Sequence, residues 1–305
     1  MPETLKFKLY QAFSKSENGG SEVAIVHPSN LSHTGKTKQE IAKKLGYPAT
    51  AFIHKISGEE VAASFYSTKA KLSMCGHGTI GLMTSLIETH RIKLNVAGKT
   101  LINLKLPTGT AKVEIKNSHK QPPLISLEVQ PPTFRNDQVE TKRLLRILGL
   151  SPTTILPEYP IETATGDFVH LVVPLNRLSD MKKIKPDFPA IISFCHEYGL
   201  QTLALFCTET EHPGKDIHVR DFCPAVGVYE SAAAGTTNAA IAGYIFRHNL
   251  LKAQSSKVLE ITAEQGLEIG KPSQIFSSLL LENTTIKKQL VSGVATWSKS
   301  GVINL

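Results

Sequence analysis

A cysteine and a histidine separated by one glycine make residues 74–81, Met-Cys-Gly-His-Gly-Thr-Ile-Gly, the segment best equipped for chemistry. Its glycines allow a tight turn and a close approach of the backbone to a ligand. A helix that begins there directs free N–H groups and the positive end of its dipole at that ligand, which suits a carboxylate. Beside a bound carboxylate, the thiol of Cys75 and the imidazole of His77 could move a proton on the adjacent carbon.

A second glycine-containing turn, residues 234–238 (Ala-Gly-Thr-Thr-Asn), also precedes a mostly apolar helix-like segment. Aligning it with residues 75–79 pairs the two turns, and several short strands surround each of them. This layout predicts a pseudo-symmetric pair of domains, each of which wraps a sheet around its own helix. The two helix N-termini would then face each other across an active-site cleft that could hold a carboxylate.

Hydrophobic periodicity, glycine and proline indicate where the elements that position these turns begin and end. Helices are expected over residues 37–45, 79–92, 142–148, 188–198 and 239–247. Strands are expected over residues 5–13, 23–26, 51–53, 62–66, 100–106, 111–115, 124–129, 168–173, 203–207, 218–222, 258–262, 274–281, 294–297 and 301–304. Proline pairs at 122–123 and 131–132 separate two halves. We therefore expect one domain over residues 1–122 and another over 123–289, with a strand at about 290–305 returning to the first.

Composition excludes several classes of protein. The 305 residues are 41% hydrophobic and 20% charged, which is typical of soluble globular proteins. There is no run of 18 apolar residues and no apolar signal core near the first residue, so we expect no membrane association and a cytoplasmic location. The net charge of +8 comes from scattered lysines without interleaved aromatics. This favours a solvated basic surface or steering of a small anionic substrate over nucleic-acid binding.

Cysteine and histidine spacing argues against a metal site. The four cysteines contain no Cys-x-x-Cys pair, and they are expected to be reduced thiols rather than a disulfide framework. His27, His33 and His54 show no ligand spacing either. We therefore expect no metal site.

Several further motifs make the chain resemble a known family. They are residues 11–13 with 20–26, residues 75–79, residues 220–224 (Arg-Asp-Phe-Cys-Pro) with 227–230 (Gly-Val-Tyr-Glu), and residues 265–266 with 270–273. In this order and spacing they resemble the phenazine-biosynthesis PhzF-like family, within the diaminopimelate-epimerase and proline-racemase fold group. The resemblance covers most of the chain. It implies an α+β fold of two pseudo-symmetric domains, each a curved, mostly antiparallel sheet around a central helix. It also implies a homodimeric, cofactor-independent isomerase that acts on a small carboxylic acid in specialised or amino-acid metabolism.

Three positions depart from the pattern of these relatives. Ala49 stands where the family has a glutamate that acts as the proton-transfer base, and Ser231 replaces an aspartate. Ala234 stands where epimerases and racemases have their second catalytic cysteine, so a two-base epimerase is disfavoured. A proton shift on one face of the substrate by a single base remains chemically possible.

These observations define the candidate site. The proton-transfer candidates are His77, Cys75, Thr236 and Ser231, and the substrate-binding candidates are Gly76, Gly78, Thr79, Gly235, Thr237 and Glu230. Placement at a helix N-terminus should lower the pKa of Cys75. Each candidate also has an ordinary structural interpretation: a small buried cysteine, a core or capping histidine, plain helix starts, and a glutamate that is a buried partner or a surface acid.

Two other functions stay open. One is a ligand-binding or protein-interaction protein that kept the fold and lost the chemistry, which the alanines at 49 and 234 favour. The other is an enzyme that uses the cleft for cyclisation or for elimination of water.

Overall fold

The computed structural model describes residues 4–27, 34–95, 98–117, 121–136, 139–282 and 284–304. Its strands are β1 Thr4–Ala12, β2 Ser21–Val26, β3 Ala49–Ser57, β4 Glu60–Tyr66, β5 Lys71–Leu72, β6 Lys99–Leu106, β7 Gly109–Lys116, β8 Leu124–Val129, β9 Thr133–Arg135, β10 Glu162–Thr165, β11 Val169–Pro174, β12 Thr202–Cys207, β13 Ile217–Cys223, β14 Val228–Glu230, β15 Val258–Gln265, β16 Ser273–Glu282, β17 Thr285–Gly293 and β18 Ala295–Asn304. Its α-helices are α1 Gly35–Leu45, α2 Gly76–Glu88, α3 Thr141–Leu148, α4 Leu178–Lys183, α5 Phe188–Tyr198 and α6 Gly235–Arg247.

The chain divides into two compact units, Met1–Glu128 with Ser292–Leu305, and Val129–Val291. In the first unit, β1 pairs antiparallel with both β2 and β18, while β2 and β3 run parallel. Strands β3 and β4 are antiparallel, β4 and β6 are parallel, and β6, β7 and β8 form an antiparallel meander. The sheet is therefore mixed, with antiparallel pairs in the majority.

Helix α2 is the buried helix of the first unit. It contacts β1, β2, β3 and β18, and every residue from Gly78 to Leu86 is buried. The helix carries no charged residue before Glu88, so burying it leaves no charge without water. Gly81 allows its close approach to β2, because a Cβ at this position would lie 2.3 Å from Val23 Cγ1.

The second unit is built around α6 in the same way. Strands β9, β10 and β11 pair antiparallel, β11 and β12 are parallel, β12 and β13 are antiparallel, β13 and β15 are parallel, and β15 and β16 are antiparallel. Helix α6 contacts β10, β11, β12, β15 and β16. The other face of β11, β12 and β13 supplies Leu171, Leu203 and Phe222 to a core shared with α3 and α5.

The expected α+β class, with a mostly antiparallel sheet and one buried helix in each unit, is confirmed. The start of both buried helices was predicted too late: they begin at Gly76 and Gly235 rather than at residues 79 and 239. Glycine has low helix propensity, which hid these first turns in the sequence. Helix α2 also ends at Glu88, before residue 92, because His90 takes a left-handed φ of 54°.

Five short strands and α-helices of two to six residues were not predicted: β5, β9, β10, β14 and α4. The nine-residue strand β17 was not predicted either. The two strands expected at the end of the chain are a single strand, β18. Within the described ranges, no helix is long and apolar enough to cross a membrane.

Candidate active site

The first turn is the start of α2, with Cys75 as its N-cap residue. Cys75 is extended, with φ −149° and ψ 103°, and its side chain does not cap the helix. Its carbonyl accepts two hydrogen bonds from Thr79, at 2.8 Å from N and 2.9 Å from Oγ1. Thr79 therefore closes the turn, and the first N–H groups of the helix have no acceptor within it. Such groups can hold an anion.

Cys75 and His77 lie side by side in this turn. The sulfur is 3.7 Å from Nδ1 and 3.6 Å from Nε2 of the imidazole. The cysteine is 5% exposed, and burial raises the pKa of its thiol to about 12 although the Gly78 N–H lowers it. The expectation that the helix N-terminus lowers this pKa is therefore wrong, because desolvation outweighs the dipole here.

His77 is neutral at physiological pH. Burial lowers the pKa of its imidazole to about 4. The pair therefore consists of a protonated thiol and an unprotonated imidazole. Of these two groups, His77 can accept a proton and Cys75 can donate one.

The two glycines of this turn serve different purposes. A Cβ at Gly78 would lie 2.8 Å from the Cys75 sulfur and 2.8 Å from the Phe65 ring, so only glycine fits there. A Cβ at Gly76 would meet nothing within 4 Å. Gly78 thus allows the thiol to pack beside Phe65, whereas Gly76 faces open space.

The second turn repeats the backbone of the first. Its N-cap residue, Ala234, is extended with φ −129° and ψ 108° and makes no side-chain cap. Asn238 donates to the Ala234 carbonyl from N at 3.1 Å and from Nδ2 at 2.8 Å, as Thr79 does to Cys75. Both helices have 13 residues, and two residues after each of them a non-glycine residue takes a left-handed φ, 54° at His90 and 51° at Asn249.

Residues outside the second turn hold its backbone in place. Gln265 Nε2 donates to the Ser231 carbonyl at 2.8 Å, and Gln265 Oε1 accepts from Asn238 Nδ2 at 2.8 Å. Ser273 Oγ donates to the Ala232 carbonyl at 2.5 Å. In the sequence, Gln265 and Ser273 belonged only to a family signature. Their polar side chains are buried, and buried polar groups form hydrogen bonds within the protein. Their role in supporting the turn therefore becomes visible only once the fold shows their burial.

No side chain between Ser231 and Asn238 titrates near neutral pH. Thr236 is partly exposed, and Thr237 is fully buried with a hydroxyl that has no hydrogen-bond partner among the described residues. Ser231 donates its N–H to the Asp221 carbonyl at 2.9 Å. The second turn therefore offers backbone N–H groups and hydroxyls, but no base.

Glu230 is engaged in a buried ion pair. Its two carboxylate oxygens accept from Nε and Nη2 of Arg220, each at 2.8 Å, and both side chains are 6% exposed. Arg220 also donates to the Met181 carbonyl at 2.9 Å. A bidentate pair of this kind fixes both side chains. The carboxylate of Glu230 thus supports the strand that leads into the second turn.

Alanine occupies the two positions at which the sequence resemblance led us to expect a base. Ala49 is the first residue of β3, is fully buried and pairs with Val23 of β2. Ala234 is the N-cap residue of α6. Neither methyl group can carry a proton. Among the residues that the structure describes, no group of three or more His, Cys, Asp or Glu could hold a metal ion.

Comparison with known proteins assigns the chain to a family. Residues 10–301 match the family described as phenazine biosynthesis-like protein (PhzC-PhzF). The uncharacterized isomerase YfhB of Bacillus subtilis is 26% identical over 301 residues, which cover 97% of each chain. The trans-2,3-dihydro-3-hydroxyanthranilate isomerase of Pseudomonas chlororaphis is 25% identical over 277 residues, 89% of each chain.

A solved structure shows the same fold. The crystal structure of the Bacillus anthracis phenazine biosynthesis protein, PhzF family, matches with a TM-score of 0.89 at 21% identity. The match covers 99% of this chain and 100% of that one. The resemblance found in the sequence motifs is confirmed: the chain belongs to the phenazine biosynthesis-like protein family.

Proposed function

We propose that the protein is an isomerase that moves a proton on a small carboxylic acid without a cofactor. The observation that carries this proposal is the contact between a buried thiol and a neutral imidazole, 3.6 Å apart, at the first turn of α2. Isomerase is also the activity in the names of the uncharacterized isomerase YfhB and the trans-2,3-dihydro-3-hydroxyanthranilate isomerase.

The proposed chemistry follows from the protonation states of the pair. The substrate carboxylate binds the N–H groups of Gly76, His77 and Gly78. The neutral imidazole of His77 takes the proton from the carbon next to the carboxylate, which leaves an enolate-like charge close to the helix N-terminus. The Cys75 thiol stabilises that charge by donating a hydrogen bond, and His77 returns its proton to a different carbon. The proton count is unchanged.

The second turn supplies binding groups in this proposal. Gly235 and Thr237 offer backbone N–H groups, and the hydroxyls of Thr236 and Ser231 assist proton transfer. Glu230 acts indirectly, as a positioning residue that holds Arg220 and the strand before the turn. We also propose that the chain works as a cytoplasmic homodimer, and light scattering at working concentration measures that assembly directly.

Deuterium uptake tests the proposal. Candidate acids, including trans-2,3-dihydro-3-hydroxyanthranilate, are incubated in heavy water with wild type, His77→Asn, Cys75→Ala and the surface control His196→Asn. We expect His77→Asn to slow uptake by about 100-fold or more, the usual contribution of a general base. The control should match wild type. Equal uptake in wild type and His77→Asn would overturn the assignment.

The fully buried methyl group of Ala49 favours one other candidate function, a ligand-binding protein that has lost catalysis. It predicts that an acid raises the melting temperature without turnover and without deuterium uptake. A repurposed enzyme gives a third pattern. Elimination of water lowers the product mass, while isomerisation leaves it unchanged, so mass spectrometry of the same incubations separates them.

A further inference from the structure

We propose that Asp221 is a buried proton reservoir beneath the second turn, connected to a surface cavity through Thr202 and His170. Any use of this proton in turnover rests on the function proposed above. The reservoir itself is a property of the second unit and can be tested without a substrate.

Neighbouring strands bring these residues onto one face of the sheet. His170 of β11 is paired with Thr202 of β12, and Asp221 of β13 is paired with Ala204, two residues further along β12. Residues in register, or two apart on one strand, point to the same side of a sheet. That side carries α6, because Thr237 interacts with the Asp221 carboxyl and His170 lines a cavity together with Thr236.

Hydrogen bonds connect part of this cluster and leave the rest unsatisfied. His170 Nδ1 lies 2.7 Å from Thr202 Oγ1, and both side chains are buried. The Thr237 and Thr202 hydroxyls lower the pKa of Asp221, so they lie near its carboxyl. Even so, Asp221 Oδ1, Thr237 Oγ1 and His170 Nε2 have no hydrogen-bond partner of ordinary geometry among the described residues. Most buried polar atoms are paired, so three without such a partner in one cluster need an explanation, and the proposed proton transfer supplies one.

The cluster opens onto a cavity that reaches the surface. Its lining includes His170, Thr236 and Asp167, and Asp167 is exposed. His170 is therefore the link between the buried carboxyl and the surface, and Thr236 places a residue of the second turn at the same cavity.

Every group that faces the carboxyl helps to set its charge. Burial and, to a smaller extent, the charge of Glu230 on β14 raise the pKa of Asp221, and the two threonine hydroxyls lower it. The net result is a pKa of about 7. Cys195 of α5 and Cys223 of β13 interact electrostatically with Asp221, and burial holds both thiols protonated. Burial lowers the pKa of His170 to about 3, so this imidazole is neutral. Arg220 next to Asp221 is already paired with Glu230. At neutral pH the carboxyl is thus the group of the cluster that can change its charge.

The proposed transfer conserves protons at each step. Asp221 gives its proton to Thr202 Oγ1, and the Thr202 hydroxyl gives its own proton to His170 Nδ1. His170 releases the proton on Nε2 to an acceptor in the cavity. The reverse sequence reprotonates the carboxyl, and nothing is oxidised or reduced.

Carboxyl NMR tests the reservoir in the full-length chain. Aspartate is labelled with carbon-13 at the side-chain carboxyl, and Asp221→Asn identifies the Asp221 signal. We expect this signal to titrate with a midpoint near pH 7. Thr202→Val removes the connecting hydroxyl but keeps the shape, and it should slow proton exchange at the midpoint by tenfold or more. His170→Gln is a second variant with the same expected effect.

The matched control is Thr163→Val on β10. Thr163 is also fully buried with an unpartnered hydroxyl, but its neighbour in register, Leu171, faces the opposite core. This variant should exchange protons as wild type does. A midpoint below pH 5, or equal exchange rates in Thr202→Val and Thr163→Val, would overturn the reservoir. If no acid is turned over while the titration behaves as expected, the proposed function fails and the reservoir stands.

Discussion

The first and second turns share a backbone and differ in their ionisable groups. Each turn begins a 13-residue helix whose N-cap residue, Cys75 or Ala234, makes no side-chain cap. In each, the fourth helical residue, Thr79 or Asn238, donates two hydrogen bonds to the carbonyl of that N-cap residue, one from its backbone and one from its side chain. The first turn carries the protonated thiol of Cys75 and the neutral imidazole of His77, which are the acid and the base of the proposed function. The second carries neither, and its titratable group, Asp221, lies on the strand beneath.

This difference separates two tasks, anion binding and proton transfer. Anion binding depends on backbone N–H groups and survives any change of side chain that preserves the helix start. Proton transfer depends on particular side chains, and in the proposed function the base lies on the first turn while the second turn contributes only hydroxyls. The arrangement therefore suits a proton shift by a single base better than an exchange between two faces of a carbon.

The largest effect we expect is the pH dependence that Asp221, beneath the second turn, gives to the free energy of unfolding. Raising the pKa of Asp221 from 3.8 to about 7 favours the folded state in acid, because that state binds the extra proton. This contribution is complete below pH 4 and is lost as the pH rises through 7. It corresponds to about 4 kcal/mol at most. Urea unfolding at pH 4.5 and pH 8 measures it, and Asp221→Asn should remove it.

Asp187→Asn is the matched control for that measurement. Asp187 caps α5 in the same unit by accepting from the Ala190 N–H at 3.1 Å, and asparagine caps a helix equally well. This variant should keep the wild-type change of stability between the two pH values. The free energy of unfolding of wild type should decrease between pH 4.5 and pH 8. If Asp221→Asn showed the same decrease, the carboxyl of Asp221 would not be protonated in the folded protein at neutral pH.

The first turn should respond to pH with the opposite sign. The pKa of His77 is lowered from 6.5 to about 4, so the unfolded chain binds the proton first. The contribution of His77 is present above pH 6.5 and is lost as the pH falls through 4. It amounts to about 3 kcal/mol at most. Urea unfolding of wild type and His77→Asn at pH 7 and pH 4.5 measures this change. If both proteins lost the same free energy of unfolding between these pH values, the two turns would not differ in their response to pH.

The elements that the sequence predicted well are those with local signals at both ends. The bounds expected for α5 are the observed ones, because Asp187 precedes it and Gly199 ends it in a left-handed conformation. The bounds of β8 are also as expected. Strands β9, β10 and β14 have three or four residues, too few to show a period of two, and distant pairing partners define them.

The sequence predicted which residues of the two turns correspond to each other, but it did not predict the pKa values of the ionisable groups near them. Aligning residues 75–79 with 234–238 matched the Thr79 and Asn238 contacts, because a helix start needs its donors at fixed spacing. The pKa of Cys75 was predicted in the wrong direction, since burial by residues far along the chain cannot be seen locally. The same limit hid Asp221, which becomes buried only when β12 and α6 cover it.

A smaller effect compares the two glycines within the first turn. Gly78→Ala introduces a methyl group 2.8 Å from the Phe65 ring, and overpacking of this kind costs about 1–3 kcal/mol. Gly76→Ala meets no atom within 4 Å and should leave stability unchanged or raise it by about 0.5 kcal/mol. Urea unfolding of both variants tests the difference. If Gly78→Ala were as stable as Gly76→Ala, Phe65 would have moved aside and glycine would be dispensable at position 78.

The smallest effect tests the shared backbone by adding the same cap to both turns. Neither Cys75 nor Ala234 caps its helix with a side chain, and serine at such a position typically adds about 1 kcal/mol. Ala234→Ser should therefore raise the free energy of unfolding and leave deuterium uptake within about twofold of wild type, since the second turn holds no base. Cys75→Ser should gain less, because it loses the packing of the sulfur against Gly78, and it should slow uptake because it disturbs the contact with His77. Both variants are measured by urea unfolding and by uptake on the same acid. If Ala234→Ser slowed uptake as strongly as Cys75→Ser, proton transfer would depend equally on both turns, and the division of tasks between them would be wrong.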